Sequence, residues 1–287
     1  MTLLQILVQA LVNGLLIGCL YAMISIGLTL IWGTMEIINF AHGEFLMMGL
    51  YLAFWLFTLF AIDPLYSLPI VVLVFFGAGV LFYKFVLKLL VHRSLFPQVL
   101  ATFGLGLIFQ ALALFFWSPN YRLVRGNILK GNFQIAGIWI GIPELVTSSF
   151  CVTAMVVLFY FLNQTRTGRA IRATTLNKEA AALVGIDIER IYILVVALGI
   201  SLVGFAGGLL ANFYYIYPRV GGNFAALAYV VVCIGGFGST TGALMGGLLL
   251  GVVTSIAGII NPAFKYAAVF LVYLIVVLIK PTGLKGW

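Results

Sequence analysis

The stretch GLLIGCLYAMISIGLTLIWG, residues 14–33, indicates the class of this protein, because it runs for 20 residues without a charged side chain. A helix needs about 20 apolar residues to cross the hydrocarbon core of a bilayer. In the whole chain of 287 residues, 64% are hydrophobic and 8% are charged, whereas soluble domains carry about 25% charged residues. So few charges cannot cover the surface of a soluble fold, and we expect the excess apolar area to face lipid.

Further apolar runs follow along the chain, separated by joints that contain charged residues or proline. Helices satisfy their own backbone hydrogen bonds in lipid, which makes them the expected form of these runs. We therefore predict an all-α polytopic membrane protein of about eight transmembrane helices, with residues 1–287 forming a single integral membrane domain. The predicted spans are 5–32, 43–61, 68–91, 97–117, 145–163, 191–214, 225–258 and 265–280.

The run 225–258 is too long for one crossing, because its 34 residues would reach about 51 Å as a helix. Its middle, GGFGSTTG, predicts an interrupted or re-entrant segment near 235–243, and we predict a second one near 33–45. Both stretches contain Phe, Met and Gly at one spacing, which forms a weak internal repeat. Its members are Phe40, Met48 and Gly49 in the first stretch, and Phe237, Met245 and Gly246 in the second. Such a pair of broken helices is typical of a transporter's pathway.

The distribution of cations predicts the orientation. Eight Lys and Arg residues lie in the joints that follow the third and fifth predicted spans, and four lie on the other side of the membrane. Since cations are retained in the cytoplasm, the loop 164–190 is predicted to be cytoplasmic and the loop 118–143 extracytoplasmic. Eight single crossings would then leave both termini outside, in conflict with Lys280 and Lys285 near the C-terminus. A break in 225–258 would remove the conflict.

The sequence MEIINFAHGEF, residues 35–45, places two carboxylates and an imidazole between long apolar runs. Such groups are expensive near hydrocarbon unless they face a cavity, a partner or the interface. We interpret this segment as a polar break that lines a translocation route, with Gly43 permitting the turn; the alternative is a short interfacial loop without function. The candidate pathway residues are Glu36, Asn39, Phe40, His42, Gly43 and Glu44. No metal site is predicted, because the single histidine lacks HExxH spacing.

A short helix is predicted inside the loop 164–190. Asn177 is a natural N-cap, Glu179 lies in the first turn, and Gly185 suits the position after the helix. Apolar side chains fall on one face of this segment, which is too short to cross a membrane; they are Leu176, Ala180, Leu183 and Val184. The face must be covered by the protein's own helix ends, by the lipid surface, or by a groove in a cytoplasmic partner.

Several function classes lack their motifs. The sequence contains no P-loop, no GxSxG and no CxxC, so neither nucleotide binding of the P-loop type nor catalysis is expected. The net charge of +8 is explained by membrane orientation, and we predict no nucleic-acid partner.

The chain resembles the LivH-type permease subunits of branched-chain amino-acid ABC importers. The resemblance covers both halves of the chain and rests on residues 14–33 followed by INFAHGEF (38–45), RTGRAIRATTLNKEAAALVGI (166–186), GGFGSTTGALMGGLLLG (235–251) and KPTGLKG (280–286). It implies a translocation subunit in a bacterial or archaeal cell membrane. The implied partners are a LivM-like second permease, two cytoplasmic ABC ATPases that use ATP and Mg²⁺, and an extracytoplasmic solute-binding protein, with no cofactor bound by this chain.

The resemblance also implies a role for the short cytoplasmic helix. Glu179, Ala180, Ala181 and Gly185 match the EAAxxxG core of the importers' coupling loop, whose helix sits in a groove of the ATPase. With the apolar residues Leu183 and Val184, they form the predicted coupling site. The alternatives are an importer of the same class that carries urea or short amides, an ATPase-independent channel, and an intramembrane hydrolase that uses Glu44 and His42.

Overall fold

The computed structural model describes residues 3–285 and confirms an all-α polytopic fold. In this range seven helices are long and apolar enough to cross a membrane, and two shorter apolar helices accompany them. In chain order the helices are α1 Leu3–Met35, α2 His42–Phe60, α3 Pro64–Phe82, α4 Lys88–Leu90, α5 Leu95–Trp117, α6 Ile142–Gln164, α7 Arg166–Leu176, α8 Lys178–Leu183, α9 Ile188–Leu210, α10 Val220–Gly235, α11 Thr240–Ile260 and α12 Phe264–Ile279. A π-helical turn, Tyr83–Leu87, joins α3 to α4.

Helix α1 lies at the centre of the fold and packs against α6, α9, α10 and α11. Its second half is almost wholly buried, whereas Leu3 and Leu4 at its start are exposed. A Cβ atom on Gly18 would lie 2.9 Å from the Cα atom of Leu248 in α11, so glycine allows the two backbones to touch. Since lipid offers no hydrophobic drive between helices, such close packing is a main source of their association.

The run 225–258 is divided between two helices, as predicted. Helix α10 ends at Gly235 and α11 begins at Thr240. Gly236 and Gly238 between them have φ angles of 100° and 77°, which residues with a Cβ rarely adopt. The protein therefore has nine apolar helices among its described residues instead of about eight. Leu284 hydrogen-bonds to Ile234 at the end of α10, and the neighbouring Gly238 approaches Gly33 at the end of α1. The C-terminal segment therefore lies at the opposite end of the bundle from the start of α1, which removes the conflict over the C-terminus.

Ten of the fifteen Lys and Arg residues gather at one end of the bundle, the cation-rich end. Three contacts tie its segments together: the ion pair of Lys88 with Glu189, the approach of Gly238 to Gly33, and a 2.7 Å hydrogen bond from the Leu284 amide to the Ile234 carbonyl. The ten cations are Lys84, Lys88, Arg93, Arg166, Arg169, Arg172, Lys178, Arg190, Lys280 and Lys285. Arg122, Arg125, Lys130, Arg219 and Lys265 lie toward the opposite end.

The loop 118–143, at the opposite end, contains a β-hairpin that the sequence analysis did not predict. Its strands are β1 Asn132–Ile135 and β2 Ile138–Gly141, and the turn residues Ala136 and Gly137 both have positive φ. The Gln9 side chain in α1 accepts from the Trp139 amide at 2.7 Å and donates to the Trp139 carbonyl at 2.6 Å. The hairpin is thereby attached to the first helix.

Candidate functional site

The first break in the helices comprises residues 36–41, between α1 and α2. Glu36 has a φ angle of 55° directly after α1. Helix α2 then begins at His42, whose Nε2 donates to the Ile24 carbonyl at 2.9 Å. Ile24 precedes Met35 by eleven residues, about 16 Å along α1. The chain therefore turns back into the middle of the bundle, and the prediction of an interrupted segment here is confirmed.

Side chains from two distant helices hold the backbone of this first break. Thr102 Oγ1 in α5 lies 3.2 Å from the Ile38 carbonyl oxygen and accepts from the Phe40 amide at 3.2 Å. The Tyr229 hydroxyl in α10 donates to the Asn39 carbonyl at 2.5 Å. Because non-helical backbone at membrane depth is tolerated only where protein or water satisfies it, these contacts are what allow the break to exist.

Glu44 lies in the first turn of α2, directly after the first break, and is buried. Glu44 is only 4% exposed, and its Oε1 accepts a hydrogen bond from Gln110 Nε2 of α5 at 2.7 Å. The other oxygen, Oε2, is buried and has no hydrogen-bond partner within residues 3–285. An ionisable group at membrane depth is expensive and marks a functional candidate. The pair also fixes the start of α2 against α5.

The candidate pathway residues differ in their exposure. Glu36 is exposed next to the end of α1, and Phe40 is 37% exposed. Asn39 and His42 are 0% exposed and lie inside the bundle, which does not support the alternative of an interfacial loop. Phe40 borders a cavity. A role of all six residues in translocation stays a prediction.

Gly43 does not make the turn, contrary to the sequence-based expectation. It lies within the first turn of α2, and the positive φ angle of the break belongs to Glu36. A Cβ atom on Gly43 would overlap the carbonyl oxygen of Gly221 in α10. Gly43 is therefore needed for the close approach of α2 to α10, a requirement that no local pattern reveals.

A cavity of about 390 Å³ lies between the two breaks, on the side of the cation-rich end. The paired aromatic residues of the internal repeat, Phe40 and Phe237, both line it. Phe40 packs on Tyr229 with ring centroids 5.0 Å apart, and Phe237 packs on Trp32 at 4.9 Å. The lining is almost wholly apolar, so the cavity suits an aliphatic group better than a charged one.

The predicted cytoplasmic helix is present as α8. The Asn177 side chain accepts from the Ala180 amide at 2.9 Å, as expected of an N-cap. Gly185 has a φ angle of 87°, and its amide donates to the Ala182 carbonyl, as expected of the residue that ends a helix. The boundaries predicted from these two residues are confirmed.

One face of the segment α7–α8 is apolar and uncovered. Leu176, Leu183 and Val184 are 66%, 89% and 77% exposed. Ala181 is only 3% exposed and anchors α8 on its own protein, so this member of the predicted coupling site points away from any partner. The three exposed residues are therefore not covered by the protein's own helix ends.

Sequence reasoning missed Thr102, Gln110 and Tyr229 as parts of the site. Thr102 and Gln110 lie in one apolar run, eight residues apart, and polar residues in such runs usually make interhelical hydrogen bonds. A polar role for these two residues could therefore be detected from the sequence, but their partners, the Ile38 carbonyl and Glu44, could not. Tyr229 carried no signal, because tyrosine is common in membrane helices.

A bundle of apolar helices with two interruptions, a cavity between them and an exposed helix at one end is the architecture of a membrane transport protein. Its sequence specifies the family. The model of the family described as "Branched-chain amino acid transport system / permease component" matches residues 10–279, and the chain belongs to this family. It is a multi-pass membrane permease.

Individual relatives agree over nearly the whole length. The chain is 32% identical to the high-affinity branched-chain amino acid transport permease BraD of Pseudomonas aeruginosa, covering 97% of this chain and 95% of BraD. It is 29% identical to LivH of Escherichia coli, with the same coverage. The probable LivH of Methanocaldococcus jannaschii is 30% identical over 93% of this chain and 89% of that protein. These matches confirm the resemblance to LivH-type permeases. No solved structure matches the chain.

Proposed function

We propose that this chain is the translocation subunit of an ATP-driven importer of branched-chain or other neutral amino acids. Its companions would be a LivM-like second permease, two ABC ATPases that bind ATP and Mg²⁺, and a solute-binding protein outside the cell membrane of a bacterium or archaeon. The cation-rich end faces the cytoplasm in this proposal. The observation that carries it is the exposed apolar face of α7–α8, together with the family.

The exposed face has the chemistry of a docking helix. Burying a leucine or valine side chain is worth about 1.5–3 kcal/mol, so covering Leu176, Leu183 and Val184 would stabilise a complex substantially. The segment presents them at the cation-rich end, where Arg172, Lys178 and Arg190 are matched in number by Glu179, Asp187 and Glu189. A groove with apolar walls fits this surface.

The structure provides a mechanical connection from α8 to the first break. Only four residues, 184–187, separate α8 from α9. Helix α9 then touches α1 where Gly199 meets Gly27, and α2 where Gly204 meets Gly49. Closure of the ATPases on ATP would displace α8 and α9 together, and α9 would move α1 against α2 on either side of the first break. The importer would thereby alternate the side on which its pathway opens.

Uptake by the complete importer in proteoliposomes tests this function. We expect ATP-dependent accumulation of radiolabelled L-leucine, and no accumulation of urea. Leu183→Asp should abolish uptake, because a carboxylate cannot enter an apolar groove without a partner. Thr167→Asp, an exposed position of α7 outside the apolar face, serves as the matched control and should leave uptake unchanged.

Other outcomes identify the alternatives. Uptake that proceeds without ATP would indicate a channel, and accumulation of urea in place of L-leucine would indicate the other cargo class. Normal uptake by Leu183→Asp would refute the role of α8. Co-purification of each variant with the second permease shows that a loss of uptake is not a loss of the membrane subunits.

A further inference from the structure

A second and larger cavity, of about 830 Å³, opens toward the opposite end of the bundle. It lies between α1, the β-hairpin, α6, the end of α11 and the starts of α10 and α12. Residues of α1 from Ile6 to Tyr21 line its wall, which corresponds to a depth of about 22 Å. Its size is within the range of about 300–1,000 Å³ that small-molecule sites occupy. We call it the outer vestibule.

One acid and one base line the outer vestibule. Glu144 lies in the first turn of α6, where the helix dipole attracts a carboxylate. Lys265 lies in the first turn of α12. Both belong to the cavity lining, and neither forms an ion pair within residues 3–285. The vestibule therefore presents one negative and one positive group without internal neutralisation.

Thr147 adds a buried hydroxyl beside the acid. Thr147 follows Glu144 by three residues, which places the two side chains on one face of α6. Thr147 is 2% exposed, lines the vestibule, and its Oγ1 has no hydrogen-bond partner in the described chain. A buried hydroxyl without a partner is unfavourable, so a ligand that binds it would remove a penalty.

The floor of the outer vestibule is apolar and aromatic. Tyr21, Phe224 and Leu227 form it, with the rings of Tyr21 and Phe224 6.3 Å apart. The smaller cavity below is bounded by α1, α10 and α12, through residues such as Leu28, Val230 and Phe270. The two cavities are thus stacked, and the floor separates them.

We propose that the outer vestibule is a binding site for a zwitterionic amino acid with an apolar side chain. Glu144 and the Thr147 hydroxyl would hold the ammonium group, Lys265 the carboxylate, and the aromatic floor the side chain. The proposal rests on the proposed function for the choice of amino acids as cargo. It adds that this permease recognises its cargo itself, before the cargo passes the floor toward the smaller cavity.

Protection of a cysteine from labelling tests the site without any transport. Asn223 lines the outer vestibule and is exposed, and Asn120 in the loop 118–143 is exposed outside it. In a full-length chain whose three native cysteines are replaced by alanine, Asn223→Cys and the control Asn120→Cys are labelled with a membrane-impermeant methanethiosulfonate. We expect L-leucine to protect Asn223→Cys and not Asn120→Cys.

Two analogues and three variants establish which groups recognise the ligand. 4-Methylpentanoate lacks the ammonium group and isoamylamine lacks the carboxylate, and each should protect at least about 10-fold more weakly than L-leucine. Glu144→Gln and Lys265→Gln should raise the half-protecting L-leucine concentration by a similar factor. Arg125 lies in the loop 118–143, outside the cavity, and Arg125→Gln should leave the half-protecting L-leucine concentration unchanged. Lys265→Arg, which keeps the charge, should retain most of the protection.

The results that overturn the site are distinct from those that overturn the function. Absence of protection, equal protection by both analogues, or full protection in Glu144→Gln and Lys265→Gln would each refute the site. The labelling rate without ligand shows whether a variant is folded. ATP-dependent L-leucine uptake accompanied by no protection would retain the proposed function and reject the outer vestibule. Protection by L-leucine accompanied by ATP-independent uptake would retain the outer vestibule as a binding site and reject the proposed function.

Discussion

The two breaks are built in opposite ways. The backbone of the first, residues 36–41, is held by side chains of other helices, Thr102 and Tyr229. The second, residues 236–239, depends on two glycines with positive φ and on the cap that Ser239 Oγ provides to the Gly242 amide at 3.1 Å. The first break is therefore held by hydrogen bonds from distant side chains, whereas the second is shaped by its own glycines and packs against α1 and the C-terminal segment. The first break also joins the two helices, α1 and α2, that α9 touches directly.

The largest effect is expected from Gly221→Ala, which disturbs the packing around the first break. A Cβ atom there would lie 2.5 Å from the Gly43 carbonyl oxygen and 2.7 Å from Glu44 Oε2. We expect a loss of about 3 kcal/mol in the free energy of unfolding, as for severe overpacking. The neighbouring Gly222 has open space at its Cβ position, so Gly222→Ala is the matched control.

The measurement is the apparent melting temperature of the two variants in detergent micelles. Gly222→Ala should be neutral or slightly stabilising, because alanine favours a helix over glycine. Equal melting temperatures for the two variants would show that α2 and α10 are not closely packed at Gly43.

An intermediate effect is expected from the Glu44–Gln110 pair. Gln110→Leu leaves both carboxylate oxygens of a buried residue without a partner, and should destabilise the protein by about 2 kcal/mol. Removing the acid as well, in Glu44→Leu/Gln110→Leu, should recover most of this loss because no buried polar group then remains unpaired. The melting temperatures of Glu44→Leu, Gln110→Leu and the double variant measure the coupling between the two residues. Losses that simply add in the double variant would contradict the prediction.

The smallest effect is expected at the second break. Gly236→Ala must adopt a φ angle near 100°, which should destabilise the protein by about 1 kcal/mol. Because no side chain of a distant helix hydrogen-bonds to this break within residues 3–285, the variant should leave the maximal rate of ATP-dependent uptake close to that of the unaltered protein, whereas Thr102→Val, at the first break, should lower it. A larger loss of uptake in Gly236→Ala than in Thr102→Val would show that the second break, and not the first, is the more important for transport.

The sequence was sufficient where a feature depends on neighbouring residues. The length of 225–258 and its glycines predicted the second break, and Asn177 and Gly185 predicted both ends of α8. It was insufficient where a feature depends on distant ones. Thr102 meets Ile38 across 64 positions of the chain, and the role of Gly43 follows from its proximity to Gly221. The β-hairpin was missed because its strands have only four residues each.

The hydrogen bonds of the C-terminal segment have a consequence for biosynthesis. The Ile234 and Gly235 carbonyls at the end of α10 accept from the amides of Leu284 and Lys285, which leave the ribosome about fifty residues later. Until then these two carbonyls lack their final partners, so the end of α10 is completed only when almost the whole chain has been made. A chain that terminates before Leu284 would lack both of these hydrogen bonds beside the second break.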